Sequence, residues 1–147
     1  MKIYLDNCCF NRPFDNQDSL SIKLETQAKL FIQECIKNNK FDLIWSFILE
    51  FENQKNPYID RKRQTLLWKK IATIIIIADE VIINKAENFV KIGIKSNDAL
   101  HIASAIKANG EYFITTDKGI LKKANLISEI RICNPIEFVR NYEGEFL

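Results

Sequence analysis

Apolar residues along this chain switch between a two-residue and a helical period. The run Lys2-Ile3-Tyr4-Leu5-Asp6 is short, β-branched and aromatic, and Asn11-Arg12-Pro13 beyond it cannot continue a strand, so it predicts a buried first strand. A polar, turn-rich loop follows over 11–18, and Asp18 or Ser19 can cap the next helix. From residue 20 to about 38, Leu20, Leu24, Ala28, Phe31, Ile32, Cys35 and Ile36 recur at helical spacing. Residues 41–45 predict a second strand. Ser46 is a good N-cap for a short helix over 46–54, which Asn56-Pro57 stops. Residues 61–77 predict a third helical stretch with Leu66, Leu67, Ile71 and Ile74 on one face, although its β-branched end, 73–77, reads equally as a strand. Residues 80–83 are another short strand candidate, and 85–92 a helix that Gly93 ends. Ser96-Asn97-Asp98 then caps a helix over 99–108. Residues 112–115 form a strand running into Thr116-Asp117, and 118–124 a short basic helix. Residues 130–133 are the last strand, and Asn134-Pro135 opens a final helix through Tyr142.

Strands and helices alternate throughout, which argues for an α/β chain with a mainly parallel sheet and helices on both faces. The 147 residues show no repeat or linker, so 1–147 is expected to be one domain. An apolar fraction of 47% suffices for a substantial core. No long uncharged apolar run suggests a membrane span, and the start lacks a signal-peptide pattern, so the expected location is cytoplasmic. The net charge of +2 neither demands nor excludes nucleic acid. Cys8, Cys9, Cys35 and Cys133 have no CxxC spacing and read as free buried thiols. The lone histidine, His101, excludes a multi-histidine zinc site within one chain.

The acidic residues share one kind of position. Asp6 ends the first strand, Glu50 and Glu52 follow the second, Asp98 stands at a helix start, and Asp117 follows the strand at 112–115. In a doubly wound sheet such positions share an edge, which would gather four carboxylates in one crevice. Singly, each reads as a turn residue, a cap or a solvated charge; together they ask the bland reading for four coincidences. Like charges held close raise one another's pKa, and a hard divalent cation relieves the conflict. Glu50 and Glu52 lie two residues apart on a helix, so only one of them can point inward.

These residues resemble the PIN domain, and within it the VapC-type ribonuclease toxins. The resemblance covers nearly the whole chain. It rests on Ile3-Tyr4-Leu5-Asp6, on Ile44-Trp45-Ser46 leading to Glu52, and on Asn97-Asp98-Ala99-Leu100-His101-Ile102-Ala103-Ser104-Ala105 followed by Tyr112-Phe113-Ile114-Thr115-Thr116-Asp117. It implies a three-layer α/β/α fold and a ribonuclease dependent on Mg2+ or Mn2+. Asp6, Glu52, Asp98 and Asp117 would carry the acidic site, with Asp6, Asp98 and Asp117 holding metal and Glu50 in reserve for the second place. Thr115 or Thr116 would orient Asp117 or a metal-bound water, Asn7 would do the same beside Asp6, and Ser46 belongs to the motif. The departures are Asn7 and two cysteines after Asp6, and the Asn11-Arg12-Pro13-Phe14-Asp15 loop. Arg12 reads as an Asp15 partner or an RNA contact. His101 reads as a packing or hydrogen-bonding residue, and its place one turn beyond Asp98 also lets it support a metal ligand from behind.

The expected partners are an RNA substrate, an antitoxin protein and a second copy of the chain, with the stretch 20–36 as a groove wall. Lys118, Lys122 and Lys123, beside Asp117, are the favoured basic set for RNA; Arg61-Lys62-Arg63 and Lys69-Lys70 are others. A rival reading is a PIN-like RNA- or protein-binding domain without cleavage. A phosphatase or receiver-like domain is less favoured, because Asn7-Cys8 supplies no second acid beside Asp6.

Overall fold

Two helical layers sandwich a sheet in the computed structural model, which describes residues 1–146. The order is β1 (Lys2–Leu5), α1 (Asn7–Asn11), α2 (Leu20–Lys37), β2 (Asp42–Ser46), α3 (Phe47–Gln54), α4 (Ile59–Ile71), β3 (Ile74–Ile76), α5 (Glu80–Lys91), α6 (Ser96–Lys107), β4 (Tyr112–Ile114), α7 (Lys118–Leu121), β5 (Arg131–Cys133) and α8 (Pro135–Phe146). Short 3₁₀ turns follow α1 and α7, at Arg12–Phe14 and Ala124–Leu126.

The five strands stand in the order β3-β2-β1-β4-β5, and each neighbouring pair is parallel. Ile3 pairs with Leu43 on one side and Tyr112 on the other, which fixes the central register. From β1 through β3 the chain winds outward one way; it then crosses back to β4 and β5. Right-handed crossovers put the returning helices on the opposite face from those of the outward half. The crossover helices α5 and α6 pack on each other, and α8, which follows β5, returns to pack against α2. The central strands are covered on both sides, so Ile3, Tyr4, Leu5, Phe113 and Ile114 are all buried.

Several expectations shift. The segment after Asp6 is helical, because the Asp6 side chain accepts from Asn7 N as an N-cap and Cys9 and Phe10 turn inward. Residues 80–83 belong to α5, not to a strand: Asp79 caps the helix by accepting from Ile82 N, and Ile82, Ala86 and Phe89 form its buried face. Residues 74–76 are the strand that the β-branched run allowed. In α4 the buried residues are Thr65 and Trp68, whereas Leu66, Leu67 and Ile71 are 40%, 49% and 40% exposed. Trp68 buries more surface than any of them and sets the rotation of the helix. α6 begins at Ser96 with Lys95 at the N-cap and no side-chain cap bond, so Asp98 sits in the first turn and does not cap. The basic segment at 118–124 splits into α7 and a 3₁₀ turn, and α8 continues past Tyr142 to Phe146.

Candidate active site

Asp6 stands where β1 stops, beside the point at which the strand order reverses between β1 and β4. It is 5% exposed and its oxygens are held from three sides. Oδ1 accepts from Asn7 N at 2.8 Å, Oδ2 accepts from Thr115 Oγ1 at 2.8 Å, and the Cys8 thiol lies 3.5 Å from Oδ2. Thr115 links the two central strand ends, since its Oγ1 also accepts from Asp117 N at 3.0 Å. Asp117 caps α7, its Oδ1 accepting from Ile120 N at 3.0 Å. Thr116 is buried, its N–H reaches the Cys8 sulfur at 3.3 Å, and its hydroxyl has no partner among the described residues.

The second strand supplies the opposite wall. Ser46 caps α3 by accepting from Leu49 N at 3.2 Å. That start angle separates the two glutamates. Glu50 turns away, accepting from Trp45 Nε1 at 3.0 Å and pairing with Lys69 at 2.9 Å; Lys69, with help from Trp45, holds its carboxyl below the usual range. Glu52 turns inward and meets His101 Nε2. One oxygen each of Asp6 and Glu52 and a ring nitrogen of His101 lie within 4.8 Å of one another.

His101 makes the hydrogen bonds the sequence allowed it, and its partners are side chains of the site. It is fully buried, its Nε2 is 3.7 Å from Asp6 Oδ1, and its Nδ1 meets the Tyr4 hydroxyl, which also lies 2.6 Å from Ser46 Oγ. A chain of contacts thus runs Ser46–Tyr4–His101–Glu52. With Tyr4 donating to Nδ1, Nε2–H is left to donate to Glu52; as imidazolium, the ring donates from both nitrogens. Burial by itself would lower the His101 pKa, but Asp6, Glu52 and Asp98 together hold it above the ordinary 6.5. Burial keeps Tyr4 a neutral phenol, its pKa well above the ordinary value.

Asp98 is half-buried on the first turn of α6, one turn before His101. Burial, then the charges of Asp6, Asp117 and Glu52, push its pKa up to about 6 against the relief of His101. Asp98 and Asp117 both line a small cavity of about 80 Å³ together with Lys123. The carboxylates anticipated at one edge therefore sense one another, and a single imidazole opposes them. An oxygen-rich, negatively charged pocket of this kind suits a hard divalent cation. Among the described residues, Asp6, Glu52 and His101 form the one such group of candidate ligands, and Asp98 and Asp117, expected to share the metal with Asp6, fall outside it.

The basic candidates separate. Arg12 pairs with Asp15 at 3.1 Å and Glu25 at 3.7 Å. Lys123 donates to the Ile92 and Gly93 carbonyls and closes the end of α5. Lys118 and Lys122 are exposed. Sequence reasoning missed the inward reach of Tyr4 and Cys8; Tyr4 reads as one more apolar strand position, and only its hydroxyl hints at a polar partner.

No family model and no curated protein sequence matches this chain. Solved structures do. A chain of VapBC-1 from nontypeable Haemophilus influenzae aligns with a TM-score of 0.62 and 18% identity, over 92% of this chain and 98% of that one. A chain of VapBC2 from Rickettsia felis, solved bound to a DNA fragment from their promoter, aligns with a TM-score of 0.55 and 17% identity, over 91% and 98%. At this identity the likeness is one of architecture: the chain has the VapC-like PIN fold.

Proposed function

We propose that the chain is one PIN-like domain acting as a metal-dependent endoribonuclease, the toxin of a toxin–antitoxin pair, in the cytoplasm. The observation that carries this reading is the crowding of Asp6, Glu52, Asp98 and Asp117 at the switch point of the sheet, registered in the raised pKa of Asp98. Mg2+ or Mn2+ held by Asp6, Asp98 and Asp117 would supply a Lewis acid for the phosphoryl oxygen and a water acidic enough to attack it. Thr115 fixes Asp6, and through the Asp117 N–H it fixes the start of α7. Glu52, outside that ligand set, is suited to take the proton of the attacking water at a carboxylate oxygen. Glu52 shares its position with His101 and can exchange a proton with Nε2.

Lys118 and Lys122, exposed beside Asp117, are the basic side chains best placed for an RNA backbone. An antitoxin partner and a homodimer are supported by exposed Leu20, Leu24, Leu30 and Phe31 along α2. No described helix is long and apolar enough to cross a membrane.

The test is manganese-dependent cleavage of mixed labelled RNAs by wild type and Asp6→Asn, with a chelator control. Cleavage that vanishes with the metal and drops at least about 100-fold in the variant supports the reading. Wild-type rates in Asp6→Asn would sink it. A second reading, a binding domain without cleavage, draws on the Glu52–His101 contact, which already occupies one acidic oxygen. Absence of manganese binding by calorimetry would favour that reading.

A further inference from the structure

A separate cavity of about 210 Å³ opens between α2, α4 and the segment after β1. Phe10, Lys29, Gln33, Lys37, Thr65 and Trp68 line it, and no carboxylate does. Folding has withdrawn three of its polar side chains from water: Lys29 is 4% exposed, Gln33 7% and Thr65 1%. Gln33 Nε2 and Thr65 Oγ1 are buried without a hydrogen-bond partner among the described residues. Lys29 makes no ion pair among the described residues; its ammonium lies 5.8 Å from the centre of the Phe10 ring. Lys37 holds a second ammonium 5.4 Å from the Trp68 ring.

A buried ammonium without a counter-ion is unfavourable, and so is each unpaired donor. Native structures rarely keep such groups, and here the two unpaired donors and the ammonium belong to residues that line one void. Water would satisfy the amide and the hydroxyl but leave the charge unbalanced. A tetrahedral oxyanion satisfies all of them, accepting from the ammonium, the amide and the hydroxyl while balancing Lys29 and Lys37. A phosphate group offers more charge and more acceptor directions than a planar carboxylate. The void has the volume of roughly seven waters, which leaves room beside a phosphate for the first atoms of an ester.

We propose that this cavity binds a phosphate group, free or carried on a small ester, through Lys29, Gln33, Thr65 and Lys37. The site uses none of the acidic residues and stands whether or not the chain cleaves RNA. Burial lowers the Lys29 pKa to about 8, which still leaves the ammonium charged at neutral pH.

Thermal melting of the whole chain tests this, in sodium phosphate against sodium chloride at equal ionic strength. Further arms contain adenosine monophosphate or acetate. In wild type the midpoint is expected to rise saturably with phosphate, by roughly 3–5 °C at ten times the dissociation constant. In Lys29→Met the apparent affinity is expected to fall at least about tenfold, while the phosphate-free midpoint rises because a buried charge is gone. Thr65→Val, close in shape, reads the same site with about a threefold loss and serves if Lys29→Met does not fold. Tighter binding of the monophosphate than of inorganic phosphate assigns an ester; the reverse order assigns the free ion. An equal rise in wild type and both variants is a general salt effect and overturns the site. Acetate matching phosphate assigns a carboxylate ligand and overturns the phosphate.

Discussion

Asp98 shows how a single carboxylate reports its surroundings. Its pKa is raised from the ordinary 3.8 to about 6, first by burial and then by its acidic neighbours. In that window the unfolded chain has released the proton that the folded chain still holds, so stability falls as pH rises from about 4 to 6. His101 acts with the same sign, because its raised pKa gives stability that is full below 6.5 and is lost as pH rises through the folded value. Urea titration without divalent metal should therefore show a more stable protein at pH 5 than at pH 8. Asp98→Asn is expected to stabilise the chain at pH 7 by on the order of 1 kcal/mol, well below the full shift because the group is half exposed to solvent screening. The same change should cut metal-dependent cleavage by at least about 100-fold. A variant less stable than wild type at pH 7 would contradict the crowding. The acids were legible as a set, because each follows a strand or opens a helix. The partners of His101 were not, because Glu52 and Tyr4 come from other elements, 49 and 97 positions away.

At the scale of elements, α3 is aimed by its first residue. Ser46 both caps that helix and touches Tyr4, so Ser46→Ala should cost about 1–3 kcal/mol and lower activity by displacing Glu52. Ser46→Thr should restore most of both, read by thermal melting and RNA cleavage. Gly93 closes α5 at a φ of 97°, where a Cβ would come within 2.2 Å of Lys123 Nζ. The ammonium can swing aside, but the backbone cannot, so Gly93→Ala is expected to destabilise by roughly 1–3 kcal/mol in denaturant titration. Most helices and strands were legible from period and caps. The face of α4 was not, because Trp68 outweighed the leucine ridge that periodicity picks out. The helix after Asp6 was hidden by its asparagines and proline, which read as a turn until Asp6 is seen to cap it.

Across the whole molecule, the reversal of strand order does the assembling. The outward half delivers Asp6 and Glu52, the returning half delivers Asp98, His101 and Asp117, and β1 beside β4 brings them to one edge. The alternation of elements made the layered architecture legible; the anion cavity was not, since Lys29, Gln33 and Thr65 look like ordinary polar helix positions. The Thr115–Asp6 bond spans 109 positions of chain, with three strands and most helices made in between. During synthesis, Asp6 and Glu52 leave the ribosome long before β4 exists to dock beside β1. A half-made chain therefore holds acids but no assembled centre, and whatever chemistry the site performs waits for the returning half of the sheet.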